Sequence, residues 1–419
     1  MIKMNISISK NNKQVVTLFL STIIGVLLGV LSSVINTRSI EAADYGDVRY
    51  VQNLINLFSC LFLLGFFVSG SRLLAISKEE EDSRCIKGVM VRYLGVTVLM
   101  MALILIILYA VHQFYNPKFN ASLFLLSIPV CAQPLMLNYI NTTAQGDNQI
   151  NQIAVARLLP ALLYVAVAYF LYSICEVSSG LMILTQWGIA CIVFICVIIS
   201  TKPKFSNFLK YNSLLKKENK SYGIHLYLGS ISMVATQYIS GVTLGIFNDD
   251  NINVAFYTLA LTISMPLAML PSIVGTTYFK KFASEEHIDK KVAWGTICIT
   301  LLSYLIYIAV IQPIVSFLYP SSYHNVGVYA SLLAIAKCVH GLGDMVNRFL
   351  CAHGKGKEIR NASFVTGGCL VFGSIFFVYI WGIWGAILTN VISSSAYTAM
   401  IYLYYKRYQN VLLCKKQNC

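Results

Sequence analysis

Twelve stretches of this chain are each apolar for about 20 residues, and that recurrence limits what the chain can fold into more than any other feature. A run of that length crosses a hydrocarbon core of roughly 30 Å as one α-helix. The runs fall near residues 15–36, 51–75, 89–112, 121–143, 153–175, 180–200, 223–246, 254–279, 293–316, 326–350, 361–380 and 382–405. Lipid offers no hydrogen-bond partners, so each backbone N–H and C=O must be satisfied within the segment, as a helix does. The expected fold is an all-α polytopic membrane protein of twelve transmembrane helices. Only 11% of the 419 residues are charged, against roughly 25% in soluble domains. The first run is too long for a signal-peptide core and no small-residue cleavage site follows it, so a retained helix is expected.

The connections sort by charge. Lysine and arginine crowd the two terminal segments and the loops at 78–87, 201–222, 280–291 and 355–360, whereas the alternate loops hold only Arg38 and Lys118. The positive-inside rule then puts both termini in the cytoplasm. The net charge of +14 reads as topology and contact with anionic lipid, not as a nucleic-acid surface. External loops are short, leaving no room for an extracytoplasmic domain. The longest internal connection is lysine-rich and central in the chain. The expected organisation is an N-terminal lobe over 1–200, a basic cytoplasmic linker over 201–222, and a C-terminal lobe with its tail over 223–419. Two six-helix lobes around a central cavity would hold the substrate path between them. The twelve cysteines lie mostly inside spans without metal-ligand spacing, so neither metal nor cofactor is expected. No phosphate-cradling G-x-x-x-x-G-K-[ST] occurs, which argues against ATP hydrolysis.

Several spans carry polar stripes. Ser21, Gly25, Gly29 and Ser33 recur every four residues, a spacing that favours close helix packing. Arg49, Asn53 and Asn56 share a face of the second span, and Ser230, Gln237, Ser240 and Gly241 recur in the seventh. Such faces either line a polar lumen or hydrogen-bond between helices, and sequence leaves both open. Pro129 and Pro134 in the fourth span, with Pro266 and Pro271 in the eighth, are candidate bends.

The tenth span is the anomaly. Its segment AKCVHGLGDMVNRFL, residues 336–350, places Lys337, His340, Asp344 and Arg348 on one helical face. Each charge at mid-bilayer costs about 2.5 to 3.5 kcal/mol on insertion scales, so this face needs water or partners. Asp344 precedes Arg348 by four residues, the favourable order for a helical ion pair. That pairing would leave Lys337, with His340 as an optional second cation, unmatched, because Asp344 is the one acidic residue placed deep within any run. Arg72, Arg92 and Arg157 add positive charge in the inner third of the first half, either snorkelling to the cytoplasmic surface or completing a cationic vestibule suited to a phosphate.

The stretches TRSIEAADYGDVRYVQNLINL, NVAFYTLALTISMPLAMLPSI and YIWGIWGAILTNVIS resemble the polysaccharide flippases, O-antigen translocases included, of the multidrug/oligosaccharidyl-lipid/polysaccharide exporter superfamily. Asp44, Tyr45 and Gly46 match the D/E-Y/F-G element that opens the second span there, and Gly382, Gly385 and Ala386 match the G-x-x-G-A of the twelfth. The resemblance implies a flippase moving an undecaprenyl-pyrophosphate-linked oligosaccharide from the inner to the outer leaflet of the bacterial inner membrane by alternating access. It also implies working alongside a glycan polymerase and chain-length machinery, with no catalytic motif and no enzyme activity. Arg72, Arg92 and Arg157 would receive the pyrophosphate and Lys337 would hold anionic headgroup or sugar. Energy would come from the membrane potential or from a proton through Asp344 or His340. The alternative is a cation-coupled antiporter of drugs or other small molecules in the same superfamily, which would lean on Asp344.

Overall fold

All twelve apolar runs are helical in the computed structural model of the chain, which describes the backbone of residues 10–77, 79–115, 119–234, 236–248 and 250–417. The helices are α1 (Lys10–Ser39), α2 (Ala42–Phe62), α3 (Phe66–Ile76), α4 (Glu80–Tyr115), α5 (Ser122–Ser127), α6 (Gln133–Gly146), α7 (Ile150–Ile174), α8 (Ser179–Ser200) and α9 (Phe208–Glu218). They continue as α10 (Ile224–Val234), α11 (Thr236–Phe247), α12 (Ile252–Thr277), α13 (Phe279–Phe282), α14 (Lys290–Leu318), α15 (Val326–Ala352) and α16 (Gly356–Gln417). Among the described residues there is no strand. Among the described residues eight helices are long and apolar enough to span a membrane, or nine when the bent pair α2 and α3 counts as one span. α16 counts once there although it holds the last two runs, which meet at Gly382, where φ is 54° and ψ is −128°. Rows of exposed Leu, Ile and Phe along α14 and α16 fit a lipid-facing surface.

The chain forms two compact units. The first comprises Met1–Ile40 and Phe58–Leu228, the second Glu41–Leu57 and Gly229–Cys419. In the first, α1 packs on α7, where the Tyr164 hydroxyl donates to the fully buried Asn36. Of the Ser21, Gly25, Gly29 and Ser33 stripe, Gly25 and Gly29 have no described atom within 4 Å of an added Cβ, the side chain of Ser21 lies outside the described residues, and Ser33 is buried together with Asn36 and Thr37. α5 stops at Ser127 and α6 starts at Gln133, so Pro129 and Pro134 do interrupt the fourth span. α12 continues unbroken through Pro266 and Pro271.

The break between α2 and α3 bends that span by 57°. Leu64 and Gly65 adopt φ of 46° and 78°, which ends α2 and strands its last carbonyls. Asn219 answers this: its amide donates to the Leu64 carbonyl at 3.0 Å while its oxygen accepts from Ser69 at 3.0 Å. Asn219 sits in a π-helical turn, Asn219–Gly223, that follows α9. The basic stretch 201–222 thus folds largely as helix on the first unit. Lys204 pairs with Glu81 at 2.7 Å, Tyr93 donates to Asn212 at 2.9 Å, and Tyr211 donates to Asp82. Behind this, the buried Lys87 pairs with Asp147 at 2.6 Å, tying α4 to the end of α6.

In the second unit α15 is enclosed by α12 and α16. A Cβ at Gly341 would lie 2.7 Å from the Ala268 carbonyl and one at Gly275 would lie 2.9 Å from Met345 Cα, so these helices touch through backbone. Phe282, Phe349, Leu350, Tyr397 and Ile401 fill one end of this unit. Gly46 of the Asp44-Tyr45-Gly46 element packs under the Asn251 carbonyl, and Gly385 packs against the Phe377 carbonyl beside the Gly382 turn.

Gly46→Ala is expected to lower stability by about 1 to 3 kcal/mol through overpacking, read as thermal unfolding in detergent, whereas Gly95→Ala, exposed on α4 with open space around it, should be neutral or slightly stabilising. The Asp82 carboxylate holds the Tyr211 proton and pushes that phenol up to about 12. The folded state therefore retains a proton that the unfolded chain releases near pH 10, so this contribution is full below pH 10 and is lost as pH rises through 12. Unfolding midpoints from pH 9 to about pH 12 should fall more steeply in the wild type than in Tyr211→Phe.

Candidate functional site

Lys337, His340, Asp344 and Arg348 lie on one helix, α15, inside the second unit. An apolar helix tolerates these groups only where neighbours supply partners, and the neighbours come from α16. Tyr397 donates its hydroxyl to Asp344 Oδ1 at 2.9 Å and accepts from Asn347 Nδ2 at 2.9 Å. His340 stacks on the Tyr397 ring, centroids 4.4 Å apart and planes 20° apart, with Nε2 4.0 Å from Asp344 Oδ1. Gly343 makes room for this, since a Cβ there would lie 3.0 Å from the Tyr397 ring. Thr398 fixes the register by donating to the Val339 carbonyl at 2.7 Å.

The expected Asp344–Arg348 ion pair is not formed. Arg348 is exposed and its aliphatic stem lies against Gly275 of α12, while Asp344 is held by Tyr397. Gly275 leaves room for the Arg348 stem, and the Tyr397 hydroxyl donates to the carboxylate. Lys337 is half-buried, and no described side chain offers it a hydrogen bond or an ion pair. The face therefore presents an unmatched ammonium one to two turns from a carboxylate, an imidazole and a phenol linked in one network.

The other candidates have different surroundings. Arg72 pairs with Glu218 at 2.5 Å and lies over the Tyr222 ring, 4.7 Å from its centroid. Arg92 covers Phe208 at 4.1 Å. Both guanidiniums hold the α9 segment onto the first unit. Arg157 is exposed on α7. In the second unit, Arg49 donates to Gln52 at 2.8 Å and to the Tyr45 hydroxyl at 2.6 Å. Asn53 packs against Gly241 of α11, which brings the polar faces of the second and seventh spans together there, and Asn56 is half-buried. Ser240 shares a 2.7 Å hydrogen bond with Ser374 of α16. The side chain of Gln237 lies outside the described residues. Sequence reasoning missed Tyr397 and Asn347; Tyr397 is 53 residues from Asp344 and no local spacing marks it.

Comparison with known proteins fixes the kinship. A family model described as "Polysaccharide biosynthesis protein" matches residues 12–279. The chain belongs to that family. Its fold is that of the MOP-superfamily transporters. An inward-facing multidrug resistance MATE family transporter of that superfamily superposes with a TM-score of 0.71 at 14% identity, covering 97% of this chain and 100% of that one. The lipid II flippase MurJ in an inward closed conformation gives 0.69 at 14% identity, covering 93% and 87%. A MOP-superfamily transporter from Pyrococcus furiosus, whose binding pocket is described as having reverse polarity, gives 0.57 at 13%, covering 95% and 96%. None of the curated proteins compared matches in sequence. The polysaccharide biosynthesis family member is thus a multi-pass membrane protein by its helices, with a fold shared by a MATE family transporter and a lipid II flippase.

Tyr397→Phe should destabilise the family member by about 1 to 3 kcal/mol, because Asp344 loses a buried donor; Arg348→Ala should change little. In a double-mutant cycle with Asp344→Ala, the Tyr397→Phe loss should shrink toward zero. A full-sized loss in that background would contradict the assignment.

Proposed function

We propose that this protein is a flippase for an undecaprenyl-pyrophosphate-linked oligosaccharide, an O-antigen or similar surface-glycan repeat unit. It would act in the bacterial inner membrane with both termini cytoplasmic, working by alternating access. One observation carries the reading: Lys337, inside an apolar helix, has no carboxylate within the 4.0 Å of an ion pair among the described residues. Each such charge costs about 3 kcal/mol in a membrane, and a mobile anionic headgroup supplies the counter-charge that the fixed protein does not. Membership of a polysaccharide biosynthesis family and a fold shared with a lipid II flippase support the same direction. The lipid tail would remain in the bilayer, and the glycan polymerase would receive the unit outside.

A cation-coupled antiporter is the second reading, favoured by one feature: Asp344, not neutralised by Arg348, remains available to a cation. The two readings part on deletion. A flippase predicts complete, unpolymerised lipid-linked units accumulating at the inner leaflet; drug sensitivity with unchanged glycan supports the antiporter.

In a strain without other flippases, Lys337→Ala is expected to cut surface glycan about tenfold to a hundredfold at wild-type membrane abundance, the size expected for one lost charge-assisted hydrogen bond of about 1.5 to 3 kcal/mol. Lys337→Arg should restore a substantial part of it. Normal display by the alanine variant would refute the assignment of Lys337.

A further inference from the structure

The head of α2 in the second unit carries a charge that the flippase reading does not use. Arg49 donates through Nη1 to Gln52 Oε1 at 2.8 Å and through Nη2 to the Tyr45 hydroxyl oxygen at 2.6 Å, and its guanidinium carbon lies 4.8 Å from the Tyr45 ring centroid. Among the described residues no carboxylate reaches it within 4.0 Å, and Asp47, two residues away, is taken by the Asn251 amide at 2.7 Å. The Nε–H of Arg49 is buried with no partner. So is the hydroxyl of Tyr323, a residue 0% exposed, whose ring meets Tyr45 edge-on with centroids 6.4 Å apart. Tyr45 already accepts from Arg49, so its own O–H also points elsewhere.

We propose that Arg49, Tyr45 and Tyr323 form a binding site for a small inorganic anion of halide size. The cluster offers three donors, one positive charge and no counter-charge. A buried donor without an acceptor costs about 1 to 3 kcal/mol, and a buried cation without a counter-charge costs more. Water would bring two further protons and leave the charge unbalanced, whereas a halide accepts every donor and cancels it. The rings of Phe256 and Tyr319 flank Tyr323, with centroids 5.5 and 6.5 Å away, which confines the site to a compact, weakly hydrated ion. The bound ion ties the 41–57 segment to the turn at Ser321–Tyr323 that precedes α15, within one unit. This goes beyond the transport reading and stands without it.

Purified protein in detergent tests the site at constant ionic strength, with sodium chloride replacing sodium gluconate. The unfolding midpoint of the wild type should rise saturably with chloride, and Arg49→Gln and Tyr323→Phe should lose that rise. Tyr323→Phe keeps the ring and removes only the hydroxyl oxygen, so folding is spared. Crystals of wild-type protein grown in bromide should show an anomalous peak beside Arg49 Nε and the Tyr323 hydroxyl, a readout that needs no variant. Equal midpoints in chloride and gluconate, an undiminished chloride rise in Tyr323→Phe, or a water in place of bromide would each overturn the proposal.

Discussion

In a hydrocarbon medium a polar group that has no partner inside the protein has none at all, and that requirement organises this molecule. Where α2 breaks at Leu64 and Gly65, the stranded carbonyl is met by Asn219, a side chain more than 150 residues further on. Where Lys87 is buried, Asp147 reaches it; where Asp344 is half-buried, Tyr397 donates to it and His340 lies beside it. Each of these joins elements far apart in the chain, so the polar contacts do much of the work of specifying which helix sits beside which. Burial of apolar side chains cannot do this alone, because lipid tails are as apolar as leucine.

The same accounting isolates the groups with no resident partner. Lys337 has none on α15's neighbours, and Arg49 has hydrogen bonds but no counter-charge. The proposed counter-charge to the first is a mobile anionic headgroup, and that to the second is a bound small anion. By contrast Arg72 and Arg92 are engaged by Glu218, Tyr222 and Phe208 of the 205–222 segment.

Glycine contributes by absence. Gly46, Gly275, Gly341 and Gly385 let backbone approach backbone, and two of the four belong to the short elements by which the chain resembles its family. The physical content of Asp44-Tyr45-Gly46 is a helix head pressed against the Asn251 carbonyl. That of Gly382-x-x-Gly385-Ala386 is a left-handed turn followed by a close helix contact. Gly25 and Gly29, spaced as a packing motif, meet nothing in the described residues, so regular spacing alone does not make a contact.

Sequence alone determined the all-α membrane class and the positions of the apolar helical runs, because the length and apolarity of each segment are local properties set by the thickness of the bilayer. It also singled out α15 as the charged helix and placed its four ionisable residues on one face, since helical periodicity needs no tertiary information. Which of those charges is neutralised was decided only by tertiary structure. Asp344 turns to Tyr397, 53 residues away, and Arg348 follows the gap at Gly275 on another helix, choices that depend on what a neighbouring helix brings within 3 Å. The grouping of residues 41–57 with the second unit was decided there too, because packing partners are not encoded by proximity along the chain.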